Sequence, residues 1–264
     1  YGGVAGDEPD VLRKIRVGQL HGGVFTGKTL GDIDGDTRAN EIPFNFYLDR
    51  EKGYKSLKEL TPFLNKKIEK KGFKNLGFYE VGQVYFVSTK KVKSIAQMQG
   101  IKIWSWEGDE LVKAMIDELK LVSIPLALPD VLSSLSTGII DAAYAPPLGI
   151  LALQWQSKVK YLINFPIAYS TGALLISNKR WKRVKPEHQV IVEKIAKKYI
   201  DKANEYAVAD NTQGLETLKS MGVKFVDFSK EDLKKAEGIR SSLLKKLEGK
   251  MISKEAIKLV NKNR

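Results

Sequence analysis

Between Gln99 and Pro147 the apolar pattern switches repeatedly between a period of two and a helical period, which restricts the chain to an α/β arrangement. Residues 101–106 form a strand after Gly100. Asp109 then opens a helix in which Leu111, Val112, Met115, Ile116 and Leu119 share one face. A buried strand is predicted over 121–128, and Pro129-Asp130-Val131 begins a short helix that Gly138 ends. Residues 139–145 form the next strand, and Pro146-Pro147 stop it from pairing further. Strands separated by helices in this way predict mostly parallel, doubly wound sheets.

The rest of the chain continues the alternation. Asp7 can cap a helix running to Val17, with Pro9 in its first turn and Val11, Leu12 and Ile15 as its apolar stripe. A short Gly-rich strand follows over 20–27. Residues 54–71 are an amphipathic helix closed by Gly72, and 75–89 are extended with a break at Gly82. Pro186 opens the longest helical pattern, reaching Met221-Gly222 through Val192, Ile195, Tyr199, Ala203 and Tyr206. A helix of about 50 Å is longer than one small lobe, so it is expected to cross two. A strand at 223–228 and two charged helices complete the chain.

A chain of 264 residues can bury a large core, and no apolar run approaches the roughly 18 residues that would span a bilayer. With no cysteine, disulfides, thiolate nucleophiles and Cys-containing zinc sites are excluded. His21 and His188 are far apart and suit surface or turn positions better than a metal site. Asp32-Ile33-Asp34-Gly35-Asp36 resembles a calcium loop, but its glycine sits at the fourth position instead of the sixth; a polar surface loop is expected. The net charge of +13 invites a nucleic-acid reading. Most of the excess, however, lies beyond Lys179, on lysines set between apolar residues at helical spacing, and aromatic-plus-basic RNA-binding strands are absent. No nucleic-acid partner is expected.

A series of landmarks carries a family resemblance. They are Gly2-Gly3-Val4 with Gly6-Asp7-Glu8, Ile42-Pro43-Phe44-Asn45-Phe46, the Gly77–Gly82 segment, Met98-Gln99-Gly100-Ile101-Lys102-Ile103, the Ser136–Asp141 turn, and the Gly172–Asn178 strand followed by Trp181. None is specific alone; their order and spacing resemble the TRAP-type (DctP-type) solute receptors, extracytoplasmic binding proteins of secondary uptake systems. The resemblance implies two α/β lobes hinged about a cleft, a long helix spanning both, no catalysis and no cofactor. It implies a periplasmic location, a small-molecule ligand and membrane subunits of a TRAP transporter as partners. It divides the chain into lobe one at 1–82 and 171–210 and lobe two at 83–170 and 211–264. It also implies a βαβ unit ahead of Gly2-Gly3-Val4, and Tyr1 is not a natural start, so part of the protein is expected to precede it.

The resemblance fails at the ligand anchors. An arginine that forks onto a ligand carboxylate is usual where this chain has Trp104. A second arginine is frequent at the position of Val84, and an asparagine at that of Ala145. A buried carboxylate without donors costs several kcal/mol. Three readings remain: an aromatic or neutral ligand, an acid held by groups from the segment expected ahead of Tyr1, or lost binding. Trp104 is expected on the pocket wall, offering a stacking face and one N–H, and Trp106 in the core. Phe25, Thr26, Glu107 and Tyr144 lie near strand ends, and Ser170 and Thr171 near the hinge, as further candidate contacts. Glu107 equally suits the first turn of the next helix, and Tyr144 a half-buried strand. Phe44, Phe46 and Trp155 read as core.

Two other functions use the same residues. A sensing module would share this fold and differ only in its partner. An enzyme would need more than the carboxylates of Glu80, Glu107 and Asp141, for no nucleophile elbow, P-loop or dinucleotide motif accompanies them.

Overall fold

A computed structural model describes residues 5–46 and 49–264; the Gly2-Gly3-Val4 landmark lies outside the described residues. The elements begin α1 (Glu8–Arg16), β1 (Gly22–Thr26), α2 (Gly27–Ile33), α3 (Arg50–Lys70), β2 (Phe73–Ser88), β3 (Lys102–Ser105), α4 (Glu110–Glu118) and β4 (Val122–Pro125). They continue with α5 (Val131–Thr137), β5 (Ala142–Ala145), α6 (Pro147–Ala152), β6 (Tyr161–Ile163), β7 (Ala168–Ser177) and α7 (Asn178–Trp181). The chain closes with α8 (Pro186–Ser220), β8 (Lys224–Val226), α9 (Lys230–Leu247) and α10 (Lys254–Asn261).

Two lobes form because β2 serves two sheets. Its residues 73–84 pair antiparallel with β7, which also pairs with β1. Its residues 85–88 pass into a second sheet, antiparallel to β5 and β6. The α/β class holds, but the sheets are mixed and not mostly parallel. Parallel pairing joins β3 to β4 and β5, and β6 to β8. The reason is connectivity: helical crossovers link β3, β4 and β5, whereas the two long strands carrying both lobes run in opposite directions. The predicted buried strand at 121–128 is shorter, and it is an edge: β4 pairs only with β3, leaving Val122 43% exposed.

The helices start and stop where their caps dictate. Asp7 accepts from the Glu8 amide, Asp109 from Val112, and Ser229 forms a capping box with Asp232. Helix α8 has 35 residues, about 52 Å of rise, and packs along β2 and against α6.

The crossing of α8 over β2 explains Gly82. Register shifts at Asn75/Gly77 and Glu80/Gly82 break the ladder and leave main-chain groups without strand partners. Asn204 and Asn211, two turns apart on α8, supply them: Asn204 Oδ1 accepts from the Glu80 amide at 2.7 Å, and Asn211 Nδ2 donates to the Val81 carbonyl at 3.0 Å. Asn211 sits so close that a Cβ on Gly82, whose φ is +130°, would lie 2.6 Å from its Nδ2. Asn211 Oδ1 also accepts from the Leu148 amide at 3.1 Å, tying α6 to the same crossing. Asn204→Ala is therefore expected to cost about 1–3 kcal/mol, the desolvation cost of an orphaned buried N–H, read as a lowered urea midpoint. A change of a few tenths would mean that the Glu80 amide finds another partner.

Candidate interlobe ligand site

The segment read as a polar surface loop is buried. Asp34 caps a 3-10 turn over Gly35–Glu41, and Asp36, Thr37, Arg38, Asn40 and Glu41 are all nearly inaccessible. Asp36 accepts from the amide and hydroxyl of Ser253 at 2.6 and 2.8 Å and from Lys67 Nζ at 2.9 Å. Its carboxylate thus fastens α3 and the start of α10, and among the described residues no cluster of His, Cys, Asp and Glu suits a metal ion.

The same turn presents Arg38 and Glu41 to the space between the lobes. Glu41 Oε2 accepts from Arg38 Nε at 2.7 Å. Its Oε1 accepts from the Thr171 amide at 2.7 Å, with the hydroxyls of Thr171 and Ser170 at 3.3 and 3.4 Å. Gly27 permits this arrangement, since a Cβ there would lie 1.9 Å from Oε2. Arg38 Nη1 crosses to Asp109 Oδ1 at 3.1 Å, at the cap of α4 in the second lobe. Burial pulls the guanidinium down, but the carboxylates of Asp109 and Glu41 more than reverse this and raise it. Burial pushes Glu41 up, opposed by Arg38 and the Thr171 amide.

Arg38 and Glu41 border a cavity of about 410 Å³, counting the space open to solvent, lined also by Pro43, Val84, Leu111, Val112, Met115, Tyr144, Ile167, Ala168 and Ser170. Its walls are thus mostly apolar. A wider opening of about 830 Å³ lies between Asp7, Pro9 and Lys28 on one side and Trp106, Glu107 and Pro125–Ala127 on the other.

Of the residues singled out from sequence, Val84, Tyr144 and Ser170 meet at the cavity, and Thr171 stands behind it on Glu41. Glu107 is exposed on the wider opening. Trp104 and Trp106 exchange the expected roles. Trp104 is buried in the second lobe, its indole N–H donating to the Leu126 carbonyl at 3.0 Å. Its ring stacks on Tyr144 at 5.1 Å and meets Trp106 and Trp155 at 5.4 and 5.6 Å. Trp106, by contrast, is half-buried and lines the opening. Ala145 points into the core that holds Trp104. Phe25 is fully buried in the first lobe, and Thr26 spends its amide and hydroxyl on the Glu8 carboxylate, both at 2.8 Å. Phe44, Phe46 and Trp155 are core residues.

The carboxylates considered for acid–base chemistry are otherwise engaged or apart. Glu80 is clamped by Arg50 at 2.8 and 2.6 Å, and Asp141 pairs with Lys90 at 2.9 Å. Arg38, Glu41 and Asp109 escaped sequence reasoning because charges three apart before an apolar run look like a solvated face. Among the described residues no helix is long and apolar enough to cross a membrane.

Comparisons with known proteins agree with this architecture. An uncharacterized protein of Haemophilus influenzae is 28% identical over 227 residues, which cover 84% of this chain and 67% of that relative. A TRAP periplasmic solute binding protein from Sulfitobacter, solved with β-D-galacturonate, matches with a TM-score of 0.86 at 24% identity, over 98% of this chain and 85% of its own. The sugar acid binding protein DctPAm of Advenella mimigardefordensis, solved with galactonate, matches with a TM-score of 0.91 at 17% identity, over 99% and 86%. These two likenesses establish the two-lobed fold. Residues 2–250 match a whole-family pattern whose members are substrate-binding receptors and not enzymes. The chain belongs to DctP, the bacterial extracellular solute-binding proteins of family 7.

Proposed function

We propose that this chain is the periplasmic receptor of a TRAP-type secondary transporter, closing its lobes on a small solute and delivering it to membrane subunits. The hinge would lie where β2 and β7 pass between lobe one (1–82 and 171–210) and lobe two (83–170 and 211–264). Leu243–Val260 pack back onto lobe one and would brace it. Closure stabilised by the ligand is a population shift toward the state with more ligand contacts.

The ligand is proposed to be aromatic or otherwise lacking a free carboxylate. The observation that carries this is the interlobe cavity, which of the three positions where an anchor is usual is lined by Val84 alone, and where the bordering guanidinium of Arg38 already meets two carboxylates. A third carboxylate there would be repelled and would find the guanidinium already engaged. The relatives solved with galacturonate and galactonate bind sugar acids; this chain is proposed to differ in ligand while keeping their fold.

A thermal-shift comparison of organic acids, neutral solutes and aromatic solutes tests this reading. A compound at 100 times its dissociation constant adds about 2.7 kcal/mol to folding, enough to raise the melting temperature visibly. Stabilisation by neutral or aromatic compounds is expected. Stabilisation confined to simple carboxylates would sink the ligand assignment, and no response to any class would count against a receptor.

A further inference from the structure

We infer that the interlobe cavity selects a solute carrying a positively charged amine on a small apolar body. The inference rests on the reading of that cavity as the ligand site and names the chemical class it takes. Its first ground is charge. Arg38 carries one positive charge and is held by two carboxylates, Glu41 and Asp109, so with both carboxylates ionised the buried group has one negative charge in excess. Side chains of the three are only 2–6% exposed, so water screens that excess little. The described lining contains no lysine and no second arginine.

The second ground is independent of charge. The hydroxyl of Tyr144 is buried and, although it lies near the Trp106 main chain, completes no hydrogen bond of normal geometry. A buried hydroxyl left in this way is costly unless something else pairs with it. Tyr144, Ser170 and Glu41 share one lining, where the two hydroxyl oxygens can accept and Glu41 Oε2, which takes one hydrogen bond from Arg38 Nε, keeps accepting capacity. An ammonium has three donors and no acceptor and can use all three; a carboxylate could take the two hydroxyl protons but would meet only repulsion at Glu41. Tyr144 also presents an aromatic ring, backed by Trp104, to which a cation is attracted. Val84, Leu111, Val112, Met115 and Ile167 supply the apolar surface for the rest of the solute.

Three probes of nearly one shape and different charge test this: benzylamine, benzyl alcohol and benzoate, titrated into the full chain at pH 7 by calorimetry. The charged amine is expected to bind at least about tenfold more tightly than the alcohol, the worth of a charge-assisted hydrogen bond, with benzoate weakest. In Asp109→Asn, which keeps the helix cap and removes the excess charge, the amine should fall to the affinity of the alcohol while the alcohol is unchanged. Equal binding of amine and alcohol, tighter binding of benzoate, or an amine preference that survives Asp109→Asn would each overturn the inference. Any of those outcomes leaves the receptor reading standing, because a ligand still binds. Binding by none of the three overturns the inference alone; the receptor reading then rests on the wider screen of solutes.

Discussion

Arg38→Met is expected to cost about 3–5 kcal/mol of folding stability, the typical result of stripping one partner from a buried ion pair. The methionine fills similar space, so the loss is electrostatic: Glu41 and Asp109 would face each other, buried, with no cation between them. Urea denaturation without ligand measures it. A triple variant, Arg38→Met with Glu41→Gln and Asp109→Asn, separates charge from shape. Gln can still accept from the Thr171 amide, and Asn can still cap α4. The triple variant should recover most of the loss, since replacing a whole buried ionic group is often nearly neutral. If the single variant falls within about 1 kcal/mol of the parent, water reaches the group and the burial argument fails.

Trp104→Ala is expected to cost a further class of large penalty, about 3–5 kcal/mol, from lost packing and the cavity left behind. Trp104 is 3% exposed and touches three aromatic rings, and its N–H is satisfied by Leu126. The substitution would orphan that carbonyl and leave Tyr144 without its backing ring. The loss should appear in ligand-free protein, whereas a residue on an open cleft wall would show its effect mainly on binding. Trp106→Ala provides the contrast: half-buried on the wider opening, it should cost less stability than Trp104→Ala. Equal losses would mean that both indoles serve the core alike.

Most elements were legible in the sequence. The helices at α1, α4 and α9 follow from an apolar stripe and a capping Asp or Ser, and the 35-residue α8 from its sustained period. The bend at Gly82 was visible as a glycine within an extended run. What supports that bend was not: Asn204 and Asn211 lie more than 120 residues away in sequence. The edge position of β4 was equally hidden, because an apolar run of four to eight residues reads the same in the middle of a sheet and at its rim.

The candidate site divides along the same line. Sequence alone determined which side chains stand at Val84, Trp104 and Ala145, the positions where the resemblance implies polar anchors. It also determined the strand-and-helix alternation, because periodicity and capping act within a few residues of one another. Only the tertiary structure decided which tryptophan faces the cleft, and that a charged 3-10 turn lies buried between two lobes. A side chain's direction depends on the element packed above it, and burial of Arg38 is tolerable only because Asp109, 71 residues later, arrives to pair with it.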